Sequence, residues 1–133
     1  MGQPRVDEER PLARAVRTAT AAFDRGDFLG SIAEVEHRLD SALPAESRAD
    51  ALYLLARSYM ELRRYRPALT AAAQFNEGYP DDHRVPQMTY IYGVAAFESD
   101  RTAEARKAFA QSARANGSDR GRALYWLGRI NAD

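Results

Sequence analysis

Four segments of the chain share one register. Leu52-x-x-Leu55-Ala56-x-x-Tyr59 aligns with Thr89-x-x-Tyr92-Gly93-x-x-Ala96, Leu124-x-x-Leu127-Gly128-x-x-Asn131 and Ala15-x-x-Thr18-Ala19-x-x-Ala22. The copies are offset by 37, 37 and 35 residues. Each places apolar or small residues at i, i+3, i+4 and i+7, one face of a 3.6-residue helix. A period of this length means that one small unit, unable to bury its apolar face alone, is stacked on copies of itself.

A second helical pattern follows each of the first three segments. It runs through Phe28, Ile32, Val35, Leu39 and Ala42, then Tyr65, Ala68, Leu69, Ala72 and Phe75, then Ala105, Ala108, Phe109 and Ser112. Short breaks at 25–27, 62–64 and 99–101 separate the members of each pair. Longer ones at 44–47, 78–82 and 116–119 separate the pairs. Gly78 suits a left-handed residue after a helix, and Pro80 stops that helix. Ser47 with Asp50, and Ser118, read as helix-start caps. Pro67 fits a first helical turn, where its missing N–H is no loss.

Ala19, Ala56, Gly93 and Gly128 occupy equivalent places, and Ser31, Ala68 and Ala105 answer them on the second helices. A mid-helix glycine costs about 1 kcal/mol against alanine. Its regular recurrence therefore predicts close crossings, small against small. The expected fold is all-α: a right-handed superhelical α-solenoid of three helix pairs and a C-terminal helix. A leader over 1–11 precedes a domain over 12–133, with repeats at about 12–45, 48–81 and 85–116 and a terminal helix at 119–131.

Composition narrows the function. Nineteen basic and nineteen acidic residues cancel, which argues against a nucleic-acid footprint. All the basic residues but Lys107 are arginine, a bias of GC-rich bacterial genomes. The chain has no cysteine, hence no disulfide or thiolate site. No apolar run approaches the roughly 18 residues that span a bilayer, so no membrane insertion is expected. A native Met1 points to the cytoplasm; loss of a signal or anchor would point to the periplasm or cell envelope.

The repeat resembles the tetratricopeptide family pattern W-x-x-L-G-x-x-Y, then A, F, A and P. Leu52, Leu55, Ala56, Tyr59, Tyr65, Ala68 and Pro80 match it in the middle repeat. Gly93, Ala105 and Phe109 match in the third, and Phe28, Ser31 and Val35 more loosely in the first. The resemblance covers about residues 12–131. The Phe75-x-x-x-Tyr79-Pro80 ending and the long period resemble a bacterial cell-envelope subset. It includes lipoproteins of the outer-membrane β-barrel assembly machine and the periplasmic Tol-Pal coordinator, although the lipid-bearing cysteine is absent here. The resemblance implies a non-enzymatic adaptor that holds a partner peptide or helix in a concave groove. Chaperone-binding members clamp an acidic C-terminal peptide with Lys and Asn. Arg and Tyr stand here instead, which disfavours that ligand.

One place beyond each core-opening residue stand Val16, Tyr53, Tyr90 and Tyr125, then Thr20, Arg57, Val94 and Arg129, then Phe23, Met60 and Phe97. Tyr53, Arg57, Tyr90, Val94, Phe97, Tyr125 and Arg129 are the expected groove contacts. Tyr and Arg combine large contact area with a polar end, and Arg can pair bidentately with a carboxylate. The competing reading packs these tyrosines between neighbouring repeats.

Leu124, Trp126 and Ile130 make the last helix too apolar for a polar cap. Either a further repeat follows, or a second copy or partner binds there as in a self-assembling scaffold, or the helix simply covers the third pair. No metal or cofactor site is expected. Asp81, Asp82 and His83 read as a helix-start cap, His37 as solvated, and Arg63, Arg64 and Arg66 as a solvated turn.

Overall fold

The computed structural model describes residues 11–40, 45–115, 117 and 119–132. Among them are seven α-helices and no strand: α1 (Pro11–Asp24), α2 (Phe28–Val35), α3 (Ala45–Glu61), α4 (Tyr65–Gly78), α5 (Val85–Glu98), α6 (Thr102–Arg114) and α7 (Arg120–Ala132). The second helical pattern tightens after Val35 into a 3-10 segment, Glu36–Asp40, instead of continuing as α-helix. Ala42 and Ser118 lie outside the described residues. Pro11, expected in the leader, opens α1, a position its fixed φ suits. Ser47 falls inside α3 and so does not begin it.

Three turns within the pairs are built alike. Gly26, Arg63 and Asp100 have φ of 84°, 57° and 63°, the left-handed region. Each closes the preceding helix with the same two bonds. Gly26 N–H donates to the Phe23 carbonyl and Asp27 N–H to that of Ala22. The same bonds recur from Arg63 and Arg64 to Met60 and Tyr59, and from Asp100 and Arg101 to Phe97 and Ala96. This pair of bonds satisfies carbonyls that the helix end leaves open. Gly78 ends α4 without a positive φ, contrary to expectation. The left-handed residues sit in the short turns, where the chain must reverse within three residues.

Contacts run along the chain. α1 packs on α2, α3 on α4, α5 on α6 and α6 on α7, while α2 also packs on α3 and α4 on α5. The odd-numbered helices touch as well, α1 with α3 and α3 with α5. Among the described helices, all substantial contacts join elements one or two places apart. One apolar cluster extends from Leu12 to Ile130.

Small residues mark the crossings. Ala19, Ala56, Ser31, Ala68 and Ala105 are fully buried, and the Ser58 hydroxyl donates to that of Ser31 at 3.3 Å. A methyl group on Gly93 would lie 2.7 Å from the Phe109 ring, so that glycine is required by a close approach. Gly128 has nothing within 4 Å of the equivalent point. Its place in the register is the same, but no helix covers it.

Candidate functional site

The sequence-selected residues stand on the odd-numbered helices α3, α5 and α7, and they divide between packing and presentation. Tyr53, on α3, donates its hydroxyl to Gln87 Oε1 on α5 at 2.8 Å, tying two repeats together. Its ring lies between the guanidinium groups of Arg57 and Arg84, at 5.2 and 5.0 Å. Tyr90 packs on Phe109 at 5.9 Å, and its hydroxyl accepts from Trp126 Nε1 at 3.1 Å. Phe97 meets Trp126 at 5.1 Å. Val94 is half-buried against the core. Tyr125 is different, with 63% of its surface exposed.

Two arginines give the set its charge. Arg57 lies over the rings of Phe23 (4.5 Å) and Tyr53. Arg129 lies over Phe97, Tyr125 and Trp126, at 5.9, 6.0 and 5.2 Å. Neither guanidinium has a carboxylate partner among the described residues. Aromatic faces hold a cation by their quadrupole without neutralising it. The planar donors therefore remain able to pair with an incoming acceptor.

The residues chosen as a terminal interface separate. Ile130 is buried in the core. Trp126 stacks on Phe109 at 5.5 Å with an interplanar angle of 2°, besides its contacts with Phe97 and Tyr90. Leu124 alone of the three is exposed, by 50%. α7 turns one apolar side onto α5 and α6, and Trp126 and Ile130 belong to that side.

Sequence reasoning missed Arg84. It stacks over Tyr53 and Phe75 and binds Asp82 through Nε and a second nitrogen, both at 3.0 Å, while its Nη1 reaches Asp50 at 2.8 Å. Arg84 thus joins the turn before α5 to α3. No local pattern marks it, because Asp50 lies 34 residues away in sequence. The Arg84 side chain, its backbone N–H bond and its charge hold the Asp82 carboxyl down at about 2. Asp82 therefore organises the turn, but Arg84 is the N-cap of α5 and makes no side-chain capping bond, so the expected cap by Asp81, Asp82 and His83 is not formed; His83 is largely exposed and 3.6 Å from Asp82. No cluster of three His, Cys, Asp or Glu residues fit for a metal occurs among the described residues.

Separately, α4, α5 and α6 form a cleft of about 420 Å³ lined by Asn76, Glu77, Thr89, Tyr92, Glu104 and Lys107. Tyr92 donates to Glu104 at 2.8 Å, and burial followed by that bond raises its pKa. Tyr59 is pushed up to about 12 by burial and then by its 2.7 Å bond to Glu36. Both are neutral structural donors. Asn76 Oδ1 is buried without a partner, and its amide nitrogen reaches Thr89 at 3.4 Å. No family model matches the chain, and no curated protein aligns with it. No helix among the described residues is long and apolar enough to cross a membrane.

Proposed function

We propose that the helix pairs wind into a right-handed superhelical array of tetratricopeptide type, and that the strip on the odd-numbered helices is its concave, partner-binding surface. The protein would act as a non-enzymatic adaptor for a peptide or helix of another protein. One observation supports this reading: Arg57 and Arg129 lie over aromatic rings and have no carboxylate partner among the described residues. A charge kept solely for stability is normally paired; these two are oriented and open. A carboxylate or backbone carbonyl of the partner would complete them, with Tyr125 adding exposed ring area. The tyrosines 53 and 90 contribute less directly, by fixing the spacing of the helices that carry the arginines. A place in a bacterial cell-envelope complex belongs to the same proposal and rests on the sequence resemblance alone.

The test begins with partners captured by photocrosslinking from position 125 in the source bacterium. Each would be titrated against the wild type and the Arg57→Gln/Arg129→Gln variant. Each lost charge-assisted bond removes about 1.5–3 kcal/mol. At least a tenfold loss of affinity with an unchanged fold is expected. Equal affinity for both proteins would reject the groove, and a collapsed melting temperature would reassign the arginines to structure.

A further inference from the structure

The outer face of α7 is an apolar stripe left exposed among the described residues. Gly121, Leu124, Tyr125, Gly128 and Ala132 follow one another at i, i+3, i+4, i+7 and i+11, and all five are exposed. Helical geometry puts them on a single stripe opposite the buried Ala123 and Ile130. Leu124 and Tyr125 are two of the three large hydrophobic residues exposed among the described ones. The corresponding positions of α5 are Pro86, Thr89, Tyr90, Gly93 and Phe97, of which Pro86 is exposed, Gly93 is buried and the others are half-buried. There Phe109 of the following helix fills the space over Gly93 and touches Tyr90. In α3 the corresponding Leu52 and Ala56 are buried, and Tyr53 and Met60 are half-buried. The same register is thus covered by a helix wherever a helix follows.

Charge selects the occupant. On the helical wheel Arg122 and Arg129 flank the stripe on one side and Arg120 on the other. Asp119 is the one acidic residue between 119 and 132, and it already lies 3.8 Å from Arg122. Across 102–132 there are six basic residues and two acidic ones. A second copy docking through this face would bring arginine against arginine. We infer that α7 receives an amphipathic helix from a partner protein, with acidic flanks and a bulky apolar side chain seated over Gly128. This shares Tyr125 and Arg129 with the strip proposed above but centres on Leu124 and Gly128 and does not involve Arg57.

Two designed helical peptides with the same Leu/Phe/Ala stripe, one flanked by Glu and one by Lys, provide the probe. Fluorescence anisotropy with the full chain should show the Glu peptide binding about tenfold more tightly, with affinity falling as salt rises. Gly128→Trp and Leu124→Glu should each abolish that binding with the helical signal and melting temperature retained; Arg57→Gln should leave it unchanged. Equal binding of both peptides, binding that survives Gly128→Trp, or no saturable binding of the Glu peptide would overturn the inference. So would light scattering that shows the chain dimerising and returning to monomer with Gly128→Trp, since the occupant would then be a second copy.

Discussion

Helices α5 and α7 were written on one template and ended in different surroundings. Gly93 lies beneath Phe109, whereas nothing lies near Gly128. Tyr90 is held by Phe109 and Trp126; Tyr125 is mostly exposed. The Arg84 chelate with Asp82 and Asp50 precedes α5, while a single contact of 3.8 Å between Asp119 and Arg122 precedes α7. A residue's position in the repeat therefore sets which way it points. Whether it belongs to the core depends on what arrives from elsewhere in the chain. Identical letters at identical register have opposite energetic meanings.

The largest test of this contrast removes the filling group. Phe109 is fully buried and stacked on Trp126, so Phe109→Ala should cost about 3–5 kcal/mol in urea unfolding. Leu124→Ala, at the open end, should stay within about 0.5 kcal/mol. A small loss for Phe109→Ala would mean that α5 and α6 are not packed as described.

The two glycines should respond with opposite signs. A methyl at Gly93 would be forced 2.7 Å from the Phe109 ring, and overpacking of this kind costs about 1–3 kcal/mol. Part of that is offset by the helix propensity of alanine. At Gly128 only the propensity gain applies, so Gly128→Ala should stabilise by about 0.5–1 kcal/mol. Chemical denaturation midpoints would show the divergence, and two shifts of the same sign would break the comparison.

Removing single hydroxyls gives a smaller version. Tyr90→Phe leaves the half-buried Trp126 N–H without its acceptor, for about 1 kcal/mol. Tyr125→Phe should be neutral by the same thermal melt.

The smallest difference concerns the entry turns and depends on pH. Asp82 sits at about 2 against an ordinary 3.8, because Arg84 favours its ionised form. A carboxyl lowered in this way stabilises the fold above its unfolded value and loses that contribution as pH falls through the folded one. Asp82→Asn should therefore cost on the order of 1 kcal/mol at neutral pH, allowing for solvent screening, and progressively less as pH falls toward 2. Asp119→Asn should have no measurable effect. Melting temperatures between pH 2 and 7 would check both.

Much of the architecture was legible as repetition. The three short breaks fall where Gly26, Arg63 and Asp100 turn the chain, the small residues Ala19 and Ala56 are buried, and Gly93 lies at a close approach to Phe109. The equivalence of Tyr53, Tyr90 and Tyr125 was legible too, since spacing alone gives them one register position on their helices. Their division into buried and presented rings was not, because it depends on Gln87, Phe109 and Trp126 arriving from other helices. Arg84 was invisible for the same reason.

By itself the sequence determined periodicity: which residues share a helical face, and at what interval the unit recurs. Those are local properties, fixed by 3.6 residues per turn and by the few residues able to break a helix. Tertiary structure decided occupancy, namely that Phe109 fills the space over Gly93 and that Trp126 and Ile130 close the side of α7 facing α5 and α6, leaving Leu124 and Gly128 exposed. Burial is a relation between two surfaces, and a one-dimensional pattern describes only one of them.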